Sequence, residues 1–441
     1  MYRGNRFSFL KIFQHALTYD QVDSHSRILR NYLHFPLWAQ KFILALKALR
    51  RRDQNKILFR ELVFIDPSRI IRDKVGKWHS LYMERVRSLF DVQRVSVITR
   101  YTEPNLSCDL YLDQVSREYP YPDSTELDML NEVFIVSRKV LRSAAWTSSQ
   151  KKHILSALHV FFTDFRFYYN LFKGHPIKSV VFICHYHNEA LIAALNVLHI
   201  RSIELQHGLI SGNDLYYQYS STFKKGVKHA FFPDNICVFG TYWKEQLLKG
   251  CEFEFSQITL AGDYQWHAEK SDFNLIQRNQ VLICSQKTMH EEYIAYAHQL
   301  KKFMSKHPDW KWVIKMHPLE MHKEQYYKLE EYGFEIIDNQ KTLTELLLES
   351  RIQISIYSTT FFDALGYNVD NFSLQGYSIH SDYAASMIAE RVAHPLFFDE
   401  DPIEKHLTST GDRQLLSRDE VYAPFDSEAI RSAILGESYQ S

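Results

Sequence analysis

The chain has 441 residues, of which 45% are apolar and 24% charged, with 30 Phe and 27 Tyr. That length exceeds one ordinary core and predicts two domains, and that composition excludes a largely disordered or fibrous chain. Net charge is formally zero, yet residues 1–100 hold 20 Lys+Arg against 8 Asp+Glu, a balance of +12 that the remainder cancels. The basic part could face an anionic partner, such as a lipid surface or an acidic polymer; nucleic acid is not an expected partner.

The five cysteines, Cys108, Cys184, Cys237, Cys251 and Cys284, form no CxxC pair. Three of them, Cys184, Cys237 and Cys284, lie in or beside apolar runs, where buried thiols are usual, which fits a reducing cytoplasm. Met1 to Phe13 carries Arg3, Arg6 and Lys11 but no unbroken apolar core, so no secretory signal is expected. No apolar run reaches the roughly 18 residues that cross a bilayer, so any membrane contact would be peripheral, at the inner face of the cytoplasmic membrane.

In chain order, residues 1–60 read as a basic helical extension. Its run Phe42 to Leu49 ends in Arg50, Arg51 and Arg52. Such a helix lies on a membrane surface, or packs on its own domain with the arginines at its C-terminal dipole. Strands are expected over Ile57–Ile65 and Val95–Thr99, and residues 100–150 show no clear pattern. A βαβ unit follows: strand 179–184, helix Asn188–Leu198, strand Arg201–Leu205. Strand Asn235–Gly240, helix Tyr242–Leu248 and strand Gln257–Gly262 complete a first α/β series over 1–262.

The polar stretch Asp263–Asn279 reads as a linker. A second series, over 263–441, has strands Gln280–Ser285, Trp312–Met316, Phe334–Ile337, Ile352–Tyr357 and Asn371–Leu374. Its helices are Glu292–Lys306, Lys323–Glu331, Leu343–Glu349 and Thr360–Gly366. Strands alternating with helices predict parallel sheets, hence an α/β fold of two Rossmann-like domains facing a cleft.

Ligands of such sheets sit outside the carboxyl ends of the strands, and polar signatures cluster there. After the strand ending at Leu205 come Gln206, His207 and Gly208. Gly208 permits a tight turn or a close backbone approach, and His207 could act as a base or a donor to a sugar. Glu204 is a second candidate base or a buried supporting carboxylate. Asp214, in a polar loop, is a third candidate base or a turn residue.

Lys315, His317 and Pro318 follow the next signature strand. A cation and an imidazole there suit a pyrophosphate or a phosphate leaving group, which His317 could also protonate. Ser358, Thr359 and Thr360 open a helix whose N–H groups and hydroxyls suit an anion, with Ser358 or Thr359 as cap. Asp363, one turn on, could accept from ribose hydroxyls. Gln286 and Lys287 could contact a base or phosphate. Cys184, His185, Tyr186, His187 and Glu189 invite a zinc reading, but alternate strand residues point oppositely and no ligand pair is spaced nearby, so no metal is expected.

The segments 203–208, 238–243, 282–286, 315–320 and 357–365 together resemble bacterial GT-B glycosyltransferases that build capsules and lipopolysaccharide. The resemblance spans about residues 178–375. It is nearest to transferases of CMP-activated ulosonic sugars such as Kdo and sialic acid, whose His-Pro and Ser-Ser/Thr pairs bind the CMP phosphate; His317, Pro318, Ser358 and Thr359 match. The acidic Asp/Glu-Asp/Glu-Gly motif that holds the sialyltransferase base is not found. The resemblance implies an acceptor-binding domain over 1–262 and a nucleotide-sugar-binding domain over 263–441. It implies no cofactor, a nucleotide-sugar donor, and a glycan or lipid-linked acceptor. The rival readings are a CDP-polyol phosphotransferase of teichoic-acid type, a UDP-sugar epimerase of similar shape, and a non-catalytic capsule-assembly protein.

Overall fold

The computed structural model describes residues 58–66, 70–72, 78–99, 109–111, 148–210, 217, 231–250, 253–265, 279–287, 289–376, 381–408 and 415–437. The basic extension over 1–57, Asp214 and most of the expected linker lie outside these residues. None of the helices among the described residues is long and apolar enough to cross a membrane.

The chain forms two units. The first comprises Met1–Val238, Lys244–Ala268 and Asp426–Ser441; the second comprises Phe239–Trp243 and Glu269–Phe425. The division expected at 262/263 is therefore corrected at three places, the first being the boundary itself, which falls after Ala268. A short segment before it, Phe239–Trp243, belongs to the second unit, and the chain returns to the first at Asp426. The return has a physical cause. Helix Ser427–Leu435 buries Ala429, Ile430, Ala433 and Ile434, and its last carbonyls accept from the Arg201 guanidinium and the Ser179 hydroxyl.

The first unit is built on strands β1 (Leu62–Asp66), β4 (Val95–Thr99), β5 (Leu110–Tyr111), β6 (Ser179–Phe182), β7 (Arg201–Leu205), β8 (Asn235–Val238) and β9 (Ile258–Leu260). A separate antiparallel pair joins β2 (Ile70–Arg72) to β3 (Trp78–Ser80). The main sheet runs β5-β4-β1-β6-β7-β8-β9, and every neighbouring pair in it is parallel. Both faces of a parallel sheet are covered, so its strands are apolar throughout. Accordingly β1 reads LVFID with all five residues buried.

Helix Glu189–Leu198 buries six consecutive residues, Ala190 to Leu195, between the sheet and the long helix Ser148–Phe172. An unbroken apolar run of this kind suits a helix covered on several sides. The helix Ser148–Phe172 falls partly where the sequence shows no pattern. Its Phe161, Phe165, Tyr168 and Phe172 pack into the core beneath β1 and β6.

The second unit contains β10 (Gln280–Cys284), β11 (Lys311–Lys315), β12 (Glu335–Ile337), β13 (Ile352–Ser355), β14 (Asp370–Leu374) and β15 (His394–Leu396), all parallel, in the order β12-β11-β10-β13-β14-β15. In register, Ile283 faces Ile314 on one side and Ile354 on the other. Alternate residues of β10 feed opposite faces: Val281 and Ile283 pack with helix His290–Met304, while Leu282 and Cys284 pack with Leu346, Leu347 and Ala364. Burying each such side chain contributes about 1.5–3 kcal/mol.

Most strands are shorter than expected. Gly240 and Gly262 lie beyond β8 and β9, and Tyr357 beyond β13, because the pairing stops where the chain turns off the sheet. Likewise the strand expected over Ile57–Ile65 begins only at Leu62, after the exposed Leu58.

Candidate functional site

Numbered from β10, the second sheet has the order 3-2-1-4-5-6, with the reversal between β10 and β13. The first sheet repeats it from β1, with the reversal between β1 and β6. Ligands of open α/β sheets bind outside the carboxyl ends of the strands at that reversal.

In the second unit the two flanking loops carry Ser285, Gln286 and Lys287 after β10, and Ser358, Thr359 and Thr360 after β13. Gln286 braces them together. Its Oε1 accepts from the Tyr293 hydroxyl at 2.9 Å and from the Tyr357 N–H at 3.2 Å. Tyr293 in turn donates or accepts at Ser355 and receives the Ile356 N–H. The amide oxygen of Gln286 is thus structural, and its amide nitrogen remains available to a ligand.

The Ser358 hydroxyl accepts from the Thr360 N–H at 3.2 Å and from Thr360 Oγ1 at 2.9 Å. Thr359 occupies the cap position of helix Thr360–Gly366 without a side-chain bond. The side-chain cap expected of Ser358 or Thr359 is therefore not made at the cap position; Ser358, one residue earlier, accepts the Thr360 N–H, and Thr359 is exposed. Thr360 is spent internally, because its hydroxyl also accepts from Gln353. Asp363, half-buried, accepts from the Tyr422 hydroxyl at 3.4 Å.

His317 lies in the loop after β11. The Ser285 hydroxyl accepts its N–H at 3.0 Å, and its own Nδ1 accepts the Leu319 N–H at 3.1 Å. An Nδ1 that accepts places the ring proton on Nε2, so the neutral imidazole presents an Nε2–H donor. Pro318 lies three residues beyond the end of β11, so the strand stops before the proline expected to stop it, and it is exposed. Lys315 does not join this group. Its ammonium donates to the Asp338 carbonyl beyond β12, and burial lowers its pKa, partly offset by Asp338. Asp338 is also held by Lys323.

In the first unit, Glu204 and His185 are completely buried and paired at 2.7 Å. The Tyr217 hydroxyl and the His185 N–H also donate to Glu204. Burial alone would raise its pKa, but the charge and hydrogen bond of His185 hold it below the ordinary value. A carboxylate enclosed in this way cannot meet a substrate. The reading of Glu204 as a base is corrected to that of a positioning residue. Gln206 is likewise enclosed: its side chain donates to the Gly208 carbonyl, and its carbonyl accepts from Tyr264.

His207 is 9% exposed, and its carbonyl accepts from the Tyr82 hydroxyl at 2.6 Å. Its ring meets Cys184 and Tyr186. A Cβ added at Gly208 would meet nothing within 4 Å, so the fold does not demand glycine there. The run Cys184 to His187 is a turn rather than a strand, with His185 turned inward and His187 outward. Tyr82 and Tyr264 have no counterpart in the sequence reading, and Tyr186 entered it only within the run weighed for zinc; a lone tyrosine carries no spacing signal.

Among the described residues, one group has metal-ligand geometry: His307, Asp401 and Glu404. The ammonium of Lys306 lies 4.0 Å from Asp401 and 3.6 Å from Glu404 and supplies the balancing charge.

No family model and no curated protein matches the chain. Among solved structures it is similar to S. aureus MnaA bound to UDP, at 10% identity over 84% of this chain and 94% of that one, with a TM-score of 0.47. It is similar to the UDP-GlcNAc 2-epimerase of Methanocaldococcus jannaschii, at 10% identity over 84% and 98%, with a TM-score of 0.48. It is also similar to Acinetobacter baumannii MurG, at 11% identity over 86% and 94%, with a TM-score of 0.40. With identities this low and TM-scores below 0.5, the fold class rests on the strand order of the two parallel sheets.

Proposed function

We propose that the protein is a nucleotide-sugar-dependent glycosyltransferase, with a CMP-activated ulosonic acid such as Kdo as donor and a bacterial glycan or lipid-linked glycan as acceptor. One observation carries this reading: the residues with phosphate chemistry flank, or stand one strand from, the order reversal of the second sheet. Lys287 supplies charge, His317 an Nε2–H, and Ser358 and Thr359 hydroxyls. Donors fixed where negative charge develops stabilise a departing phosphate.

As a neutral imidazole, His317 gives that phosphate a hydrogen bond from Nε2–H rather than a proton. The amide nitrogen of Gln286 would meet the base, and Asp363, which already accepts from Tyr422, would meet the ribose only by exchanging that partner. Lys315 acts at most through the loop after β12. His207 and Asp214 are the candidate bases for the acceptor hydroxyl, with Glu204 behind them as support. The first 100 residues, with their +12 balance, would meet an anionic membrane surface.

The test is transfer from a panel of nucleotide sugars, scored for wild type and for His317→Ala and Ser358→Ala. The expected result is turnover in wild type, its loss in both variants, and melting temperatures that scarcely move. Full activity in either variant removes that residue from the site. Conversion of a UDP-sugar without an acceptor would replace transfer by epimerisation.

A further inference from the structure

The first sheet has its own order reversal, and the loop leaving β6 there carries a thiol. We propose that Cys184 and His207 form an activated thiol–imidazole pair, a site for covalent modification by soft electrophiles and peroxides.

The Cys184 Sγ lies 3.1 Å from His207 Nε2 and 3.6 Å from Nδ1. The Tyr186 hydroxyl lies 3.1 Å from the same Nε2. When the imidazole is charged, its Nε2–H therefore stands between two acceptors, the thiolate and the phenol oxygen. A neighbouring imidazolium is what lowers a cysteine pKa and yields the nucleophilic thiolate.

The surroundings hold this geometry. Tyr82 packs edge-on against the His207 ring and binds its carbonyl. Tyr264 fixes the adjoining Gln206 carbonyl. The titratable groups around the pair are Tyr82 and Tyr186, with His185, Glu204 and Tyr217 behind them. Burial would raise the Glu204 pKa, and the charge of His207 is, after His185, one of the causes that hold it low. Cys184 also holds a left-handed backbone, φ 60° and ψ 67°, without being glycine, so its side chain is presented at a cost in strain.

The other described cysteines contrast with it. Cys237 and Cys284 are buried, and burial pushes each thiol up to about 12. Cys184 is part-exposed.

The chemistry balances. With iodoacetamide the thiol proton passes to His207 Nε2, the thiolate attacks the methylene carbon, an S–C bond forms, and the C–I bond breaks with loss of iodide. With hydrogen peroxide the thiolate attacks one oxygen and the O–O bond breaks. Hydroxide leaves and takes up the proton, and sulfur is oxidised to sulfenic acid while peroxide is reduced to water.

The test is alkylation of the full chain by iodoacetamide across about pH 5 to 10, with each cysteine followed by peptide mass mapping. Cys184 should react at least about tenfold faster than Cys237 and Cys284 at neutral pH, with an inflection below the ordinary thiol value of about 8.5. His207→Ala should return the inflection to about 8.5 and slow the reaction at neutral pH about tenfold. Tyr186→Phe, which keeps the ring, should move the inflection part of the way, and it decides the matter if His207→Ala does not fold. A wild-type inflection at the ordinary value, or one unmoved in the variants that fold, overturns the proposal. No substrate enters this test, so its failure and the failure of the transferase reading are separate results.

Discussion

Two regions of this molecule share one strand order and use it differently. Where the first sheet reverses, between β1 and β6, the polar side chains are spent on one another: His185 on Glu204, Tyr186 on His207, Tyr82 on the His207 carbonyl. Where the second reverses, between β10 and β13, backbone and hydroxyl groups are braced by Gln286, but Lys287 and Thr359 stand in solvent, and His317 is bonded through Nδ1. The first arrangement is a set of side chains bonded to one another, and the second leaves Lys287 and Thr359 exposed. The difference predicts opposite responses to mutation. Substitutions of the enclosed residues in the first region, Glu204 above all, should be felt in stability, and those in the second in function.

The largest effect is expected at Glu204. Glu204→Gln removes one partner of a fully buried ion pair and should destabilise the fold by about 3–5 kcal/mol at neutral pH, read by denaturant unfolding. The pair also has a pH signature. The folded carboxyl titrates below its ordinary value of 4.5, so its contribution is complete above that value and disappears as pH falls through the lower, folded one. Wild-type stability should therefore fall more steeply below about pH 4.5 than that of Glu204→Gln. Parallel profiles would mean that Glu204 carries no such pair.

A smaller loss is expected at Gly240, in the second unit but away from its strand reversal. A Cβ there overlaps the carbonyl oxygens of Glu420 and Val421, the second of which already accepts from the Trp243 indole N–H. Gly240→Ala should cost about 1–3 kcal/mol, because the backbone at 420–421 must shift. An unchanged melting temperature would show that this segment yields freely.

The smallest stability effect is expected at Gly208. An added methyl meets open space, so Gly208→Ala should change stability by less than about 0.5 kcal/mol. If transfer activity nevertheless falls, the space beside Gly208 is where substrate passes; full activity would release that turn from the site.

Much of the architecture was legible because parallel strands buried on both faces are short apolar runs. Arg201–Leu205 and Val95–Thr99 are strands at the expected bounds. β15 was not legible: its sequence, His394–Leu396, has a proline within three residues and pairs only at the sheet edge. The return of helix Ser427–Leu435 to the first unit was also invisible, since its partners are some 200 residues upstream.

Of the candidate site, position was legible and partners were not. Lys287, His317 and Ser358 stand just past the ends of β10, β11 and β13, where the pattern puts them. Whether a polar residue faces a ligand or a neighbour depends on contacts remote in sequence. Such contacts turned Lys315 toward Asp338 and enclosed Glu204 with His185.

The central claim is that the strand reversal between β10 and β13 holds a nucleotide phosphate. Thermal unfolding with CMP, CDP, UDP and GDP at matched concentrations tests it most directly, in wild type and in Ser358→Ala. A ligand bound only to the native state at a hundred times its Kd adds about 2.7 kcal/mol of stability. The account predicts a rise in melting temperature with CMP above the other three, lost in Ser358→Ala. A flat response to all four nucleotides would contradict it.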